Sequence, residues 1–327
     1  MTAASVSLDL DNVWSYLKTH GDPEWEGRPS YLDTAVPRIL DLFGEQGITT
    51  TIFVVGADAV REDGAKAVAE FASAGHEIGN HSFEHEPWLH RYPRARLEEE
   101  LARTEDAIVA AGAPRPVGFR GPGYSVSPEL VGLLVARGYH YDASTLPTWI
   151  GPLARAYHFR SARLTAAQRA ERRDLFGSSA EGLRPVHPYR WDVPGAPSGL
   201  LELPVTTMPL ARVPIHGSYL VQLHQLSPRL ARAHLALALR LCRLRGVEPS
   251  MLLHPTDLLD GRDAPQLAFF PGMAVPAREK VAVVGRALRA MRRHFDLVGT
   301  GEHARRLQSA GVHRSRAAAG AGPRGRQ

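Results

Sequence analysis

TTTIFVVGADAVREDGAKAVAEFASAGHEIGNHSFEH, residues 49–85, is the stretch on which the fold reading turns. Thr49 to Val55 is β-branched and apolar, as a strand buried on both faces must be. Asp58 to Ala74 has the patterning of a helix and stops at Gly75, and His76 to Asn80 is a second short strand. A strand, a helix and a strand in succession mark repeated βα units around a mainly parallel sheet.

The same alternation extends outward from this unit. Before it lie a short strand, Ser5 to Leu10, and a helix, Tyr31 to Gln46, with Ile39, Leu40 and Phe43 on its apolar side and Gly47 at its end. After it come a charged helix (Pro93 to Ala111), a strand (Val117 to Arg120), a helix opened by Ser127 and Pro128, and a strand (Tyr139 to Asp142). Beyond residue 198 follow strand Leu200 to Val205, helix Arg229 to Arg245, strand Ser250 to Leu253, helix Ala277 to Phe295 and strand Asp296 to Val298. About eight strands alternating with helices predict an α/β protein, a distorted (β/α)7-8 barrel, closed or nearly so. Residues 1–310 are expected to form one domain, broken at about 150–198 by an insertion. Residues 311–327, rich in Arg, Ala and Gly without hydrophobic periodicity, read as a disordered tail.

Composition sets the outer bounds. Of 327 residues 44% are hydrophobic, which suffices for a large buried core. No apolar run reaches the ~18 residues of a membrane span, since Arg240 and Arg243 interrupt the longest candidate, around Leu235 to Leu244. The net charge of +5 sits in residues 301–327, where six arginines face one acid, Glu302, so the rest is neutral and no nucleic-acid partner is expected. The one cysteine, Cys242, lies in an apolar helical stretch and reads as a buried thiol. The first residues, MTAASVSLDLDN, lack the basic and apolar regions of a secretion signal, so a cytoplasmic setting is expected.

The chemistry gathers at strand ends. In His81-Ser-Phe-Glu-His85 two imidazoles stand four residues apart just after a strand, a spacing that puts both on one face of a helical turn and suits one divalent cation. Asp9 and Asp11 leave the end of the first strand on its same face, so one carboxylate can ligate while the other stays free. Arg120 ends a strand in RGPGYS, Asp142 ends one in YDAST, and His254 ends one in LLHPTD. In a parallel barrel such residues converge on one mouth.

These motifs, from SLDLDN through HSFEH, RGPGYS and YDAST to MLLHPTD, resemble the polysaccharide deacetylase family, the NodB homology domain also called carbohydrate esterase family four. The resemblance implies metal-dependent hydrolysis of an acyl amide on an amino sugar. By that resemblance Asp9 is the catalytic base, Asp11, His81 and His85 hold the metal, and His254 is the acid. Arg120 steers Asp9, Asp142 helps orient the acidic histidine, and a backbone N–H near Tyr124 faces the oxyanion. Asn80, Pro122 and Trp149 are expected at the sugar. Two departures stand out: Asp142 lacks the Asp-Trp ending common in the family, and Gly121 stands where alanine is usual, which is expected to widen the loop slightly.

The chemistry fits those residue types by itself. A two-histidine, one-carboxylate site leaves positions open for a water and a carbonyl oxygen, an ionised carboxylate can take a proton, and a protonated histidine can supply one to a poor amine leaving group. Zinc is the ion expected, with cobalt, manganese or nickel also suited to such a site. Trp149, Tyr124 and, in the insertion, Trp191 or Tyr189 are candidates to stack on a sugar ring, and His216 to line the pocket. The expected substrate is a small N-acylated amino sugar, a glycoconjugate or a carrier-linked sugar. Deformylation, or hydrolysis of another linear or cyclic amide, would use the same residues. A silent sugar-binding barrel would have lost one of them.

Overall fold

The computed structural model describes residues 1–311 apart from 163, 174 and 176–178, and in addition 315–317. Strand β1 (Ala3–Leu10) shows how the layers arise. Ala4, Val6, Leu8 and Leu10 belong to the large apolar cluster shared with the surrounding helices. Ser5, Ser7 and Asp9, on the opposite face, bond inward to His303 and Arg120. On β1 the period of two therefore separates an apolar outer face from a polar inner one.

The remaining elements run in order: α1 (Val13–His20), α2 (Leu32–Gln46), β2 (Thr51–Val54), α3 (Gly56–Ala59), α4 (Glu62–Ser73), β3 (Glu77–Asn80), α5 (Arg94–Ala110), β4 (Gly118–Phe119), α6 (Pro128–Ala136) and β5 (Tyr141–Asp142). Then come α7 (Gly151–Ser161), α8 (Ala166–Glu171), β6 (Tyr189–Val193), β7 (Ala196–Glu202), α9 (Gly217–Leu226), α10 (Pro228–Arg245), β8 (Ser250–Leu253), α11 (Ala277–Arg292), β9 (Asp296–Gly299), α12 (Thr300–Ser309) and β10 (Ser315–Ala317). Cap chemistry sets several ends: Gly47 closes α2 at φ 56°, and the Ser127 side chain accepts from Leu130 N–H to start α6.

One sheet runs β10-β6-β7-β5-β4-β3-β2-β1-β8, with β9 also on β1. The ring closes through the chain just past β7, where Val205 N–H donates to Thr145 O, Thr206 N–H donates to Ser250 O at 3.0 Å, and Ser250 N–H returns to Thr206 Oγ1 at 2.6 Å. Strands β1, β2, β3, β4, β5, β7 and β8 thus form a distorted (β/α)7 barrel. The last strand expected from sequence does not close it, because β9 pairs with residues 3–6 of β1, on the stretch that precedes β2's partners 7–10.

The insertion differs in one respect from its reading as a polar helix and loop. Its end forms an antiparallel hairpin, β6 with β7, because Tyr189 and Trp191 are 1% and 2% exposed and pack with Phe119, Leu130 and Leu134. Of the expected tail, Ser315–Ala317 pair with β6, while 312–314 and 318–327 lie outside the described residues.

Ring closure depends on a buried hydroxyl, since Thr206 is 1% exposed. Thr206→Val keeps the shape and leaves Ser250 N–H without its acceptor, which should lower stability by about 1–3 kcal/mol in denaturant unfolding. An unchanged midpoint would mean that the closure contributes nothing.

Candidate active site

The strands deliver six expected residues to one end of the barrel. Arg120 leaves β4 fully buried, and its Nη1 lies 2.8 Å from both Asp9 Oδ1 and Ser7 Oγ. Nε donates to Ala143 O at 2.9 Å, and the guanidinium lies 4.4 Å above the Phe53 ring centre. Asp9 is therefore fixed by one oxygen. Its Oδ2 faces His81 Nε2 at 3.7 Å and His254 Nε2 at 3.9 Å.

Asp11, His81 and His85 form a second cluster whose ligand atoms lie within 4.8 Å of one another, and all three residues are buried. His81 Nδ1 lies 2.7 Å from Arg120 O. A carbonyl accepts only, so Nδ1 carries the proton and Nε2 of the neutral ring presents a lone pair. That lone pair faces Asp11 Oδ1 at 3.4 Å, and His85 Nε2 faces the same oxygen at 3.0 Å. Asp11 Oδ1 is buried without a hydrogen-bond partner. Acceptors turned on one another in this way fit a cation between them, and two nitrogens with one carboxylate suit a divalent transition ion. Where a proton takes the cation's place, the same closeness favours the charged forms. Burial would raise the Asp11 carboxyl, but the neighbouring His85 and His81 hold it well below its ordinary value. Burial would lower His81, but Asp9 and Asp11 raise it.

The histidine pair is not on a helical turn, contrary to the sequence expectation. Ser82 and His85 both take the left-handed conformation, at φ 59° and 50°. The backbone bends because its N–H groups are claimed from outside: Ser82 donates to Asn80 Oδ1, and Phe83 and Glu84 donate to Glu100 on α5. The rings still converge, with centres 4.9 Å apart.

His254 ends β8, and burial by itself would lower its pKa. The hydrogen bond and charge of Asp257, with Asp11 and Asp9, outweigh burial and push it up to about 9. Asp257 Oδ2 also accepts from His254 N–H at 2.9 Å, and Ser218 Oγ lies 3.4 Å from Nδ1. The carboxylate beside this histidine is thus Asp257 and not Asp142. Asp142 sits on the outer face of β5, the face that Phe119 and Glu202 share in the parallel register, where Ser144 donates to it. Burial raises both carboxyls, and the Asp142 charge raises Glu202 further. Asp257 was open to detection in HPTD, since a carboxylate three residues after a strand-end residue, with proline between, caps the turn that begins there.

Other expectations change place. Asn80, expected at the sugar, is fully buried and donates to Leu101 O and Tyr139 Oη, so it braces the turn. Pro122 is a buried first residue of a short turn, and the N–H of Tyr124 donates to Gly121 O at 3.1 Å, which commits it within that turn. Tyr124 itself stands at φ 65°. The loop is tight and not widened, because a Cβ on Gly121 would lie 1.9 Å from Ser125 O. Trp149 is 43% exposed and its ring lies against Gly182, whereas Tyr189 and Trp191 are core residues. The aromatic near the cluster that the sequence reading passed over is Trp14 on α1, edge-on to His85 at 6.5 Å. His216 stands 6.2 Å from the His254 ring, and burial with the charge of His254 lowers it to about 3, which keeps it neutral.

Residues 24–141 match a family model described as polysaccharide deacetylase. A peptidoglycan deacetylase of Helicobacter pylori is 27% identical over 144 residues, which cover 42% of this chain and 48% of that protein. The chain thus spans about half the length of that relative. A solved Mycobacterium smegmatis protein, described as a polysaccharide deacetylase, matches at a TM-score of 0.57 and 19% identity, over 96% of this chain and 93% of the other, a likeness of fold. A family 4 carbohydrate esterase of Streptomyces lividans, solved with acetate, matches at 14% identity and a TM-score of 0.45, over 91% of each chain.

Chelator-treated protein titrated with zinc should take up about one equivalent and, at a hundredfold excess over Kd, gain about 2.7 kcal/mol of stability. His81→Ala should abolish that gain. An undiminished gain in the folded variant would place the ion elsewhere.

Proposed function

We propose that this chain, a relative of the polysaccharide deacetylase family, is a metal-dependent hydrolase that removes an N-acetyl group from an amino sugar. The observation that carries the reading is the state of Asp9: one carboxylate oxygen is tied to Arg120, and the other is free between His81 and His254. A divalent ion held by Asp11, His81 and His85, with zinc as the ion proposed, would polarise the acyl oxygen and acidify a water.

The chain's own residues supply the proton transfers. Asp9 Oδ2 takes a proton from the attacking water as its oxygen bonds to the amide carbon, and Arg120 keeps that oxygen aimed. His254, charged at neutral pH through Asp257, gives its Nε2 proton to the amine nitrogen as the C–N bond breaks. Acetate and the free amino sugar leave. The carboxylates around His254 keep its proton in place at neutral pH, while the buried guanidinium of Arg120 holds Asp9 in position.

The proposed substrate is a small N-acylated amino sugar, a glycoconjugate intermediate or a carrier-linked sugar, met in the cytoplasm. The contacts of the insertion support a pocket over an open groove. Arg172 Nη2 donates to Lys18 O at 2.9 Å and the guanidinium lies over Trp88, while Arg91 donates to the carbonyls of Ala170 and Glu171. The insertion is thereby fastened to α1 and to the segment after His85, walling that side of the mouth. Turnover should be greatest on one or two sugar rings, and efficiency that climbs steadily along a series of chito-oligomers would oppose the pocket.

Asp9→Asn should keep its zinc and lose turnover roughly 100-fold or more, whereas Asp11→Asn should lose zinc first. Exchanged phenotypes would exchange the roles.

His254 gives a test by pH. With its folded pKa raised to about 9, the charged form stabilises the fold fully below the unfolded value near 6.5, and that contribution is lost as pH rises through 9. The basic limb of kcat/KM should fall near pH 9, and Asp257→Asn should move it down by about one unit or more. A limb left in place would remove Asp257 from this role.

A further inference from the structure

Helix α10 carries on its outer side a surface that the site does not use. Its inward residues, Ala231, Leu235, Ala238, Leu239 and Cys242, are buried. Leu230, Leu237 and Leu244 on the other side are 47%, 50% and 70% exposed, and their seven-residue spacing keeps them within a sector of about 40°. Leu226, just before the helix, is 79% exposed. The loop after β7 packs beside α10, with Met208 and Ile215 against Ala238 and His234 Nε2 3.1 Å from Pro214 O. That loop adds Leu210, which is 68% exposed.

The charge on the same helix has one sign. Arg229, Arg232, Arg240, Arg243 and Arg245 are all exposed, and α10 contains no acidic residue. Among the described residues none of the five forms an ion pair with a carboxylate. Arg229 and Arg240 fall beside the leucine sector, and Arg232 and Arg243 lie further round the same side.

We infer that this face of α10, with the loop 208–215, docks onto a bilayer surface bearing anionic headgroups. Exposed leucines flanked by arginines that no carboxylate neutralises match both layers of such a surface, the leucines entering the acyl boundary and the guanidiniums meeting the phosphates. A second copy of the chain fits less well, because a two-fold pairing of this helix brings arginine against arginine. A polynucleotide would engage the guanidiniums and leave the leucines in water. The inference stands on the outer surface alone and does not depend on the reading of the active site. If that reading also holds, the loop 208–215 leads into His216, beside His254, so the docked protein presents its mouth near the interface, where a lipid-carried sugar would lie.

The test is co-sedimentation of the full chain with vesicles of phosphatidylglycerol and phosphatidylcholine, against vesicles of phosphatidylcholine alone. Binding should require the anionic lipid and weaken as salt rises. The double variant Arg240→Gln/Arg243→Gln should partition roughly tenfold less or weaker still, and Leu237→Gln/Leu244→Gln roughly tenfold less, each with an unchanged circular dichroism spectrum. Should the arginine pair fail to fold, the leucine pair decides alone. Absent binding, equal binding to neutral vesicles, or full binding by the variants would each overturn the inference, the last by assigning the effect to other basic segments. Self-association that the leucine variant abolishes, or competition by duplex DNA that the leucine variant leaves intact, would overturn it in favour of a second copy or a polynucleotide.

Discussion

The buried guanidinium of Arg120 is the constraint on which the rest of the barrel interior depends. It grips Ser7 and Asp9 on β1 and the carbonyl of Ala143 after β5, it stacks on Phe53 of β2, and its own carbonyl accepts the Nδ1–H hydrogen bond of His81. One side chain therefore sets the position of Asp9, and its backbone carbonyl sets the tautomer of His81 in the cluster that could hold a metal. A buried charge of this kind is tolerable only while it is paired. Stripping one partner from such a pair typically costs about 3–5 kcal/mol, so the geometry of Asp9 and the stability of the barrel are coupled.

From this pair outward the interior is arranged by sign. Carboxylates of Asp9, Asp11 and Asp257 surround the imidazoles of His81, His85 and His254, whereas His216 is desolvated beside a cation and kept neutral. The candidate metal cluster and the proposed proton-transfer pair share the space around Asp9 without sharing a residue. The largest apolar cluster lies outside the barrel, between strands and helices, where the even-numbered residues of β1 meet α2 and α11, and a smaller one with Phe53, Tyr141 and Leu201 packs inside it. Such a division leaves the barrel core free for chemistry while the helical layer carries the hydrophobic stabilisation.

Much of this was legible in the sequence because strand periodicity is strict. SVSLDLD fixes which residues of β1 face inward, and equivalent strand ends must meet at one mouth, so Asp9, Asp11, His81, His85, Arg120 and His254 could be gathered without coordinates. What could not be read were choices made by tertiary partners. The bend at His81 to His85 is imposed by Glu100, sixteen residues away from Glu84, and four-residue spacing carries no trace of it. The family resemblance implies Asp142 as the partner of His254, yet the carboxylate beside it is Asp257, which caps the turn that His254 itself begins. Trp191 is a candidate from sequence to stack on a sugar ring, whereas the hairpin it joins folds it onto α6 and β4.

A crystal of the chain grown with zinc, with the ion located by its anomalous scattering, tests the separation of ligand from base most directly. The account predicts one peak about 2.0–2.2 Å from Asp11 Oδ1, His81 Nε2 and His85 Nε2, with Asp9 outside that distance and still paired to Arg120. A peak ligated by Asp9, with Asp11 released from the cluster, would contradict it.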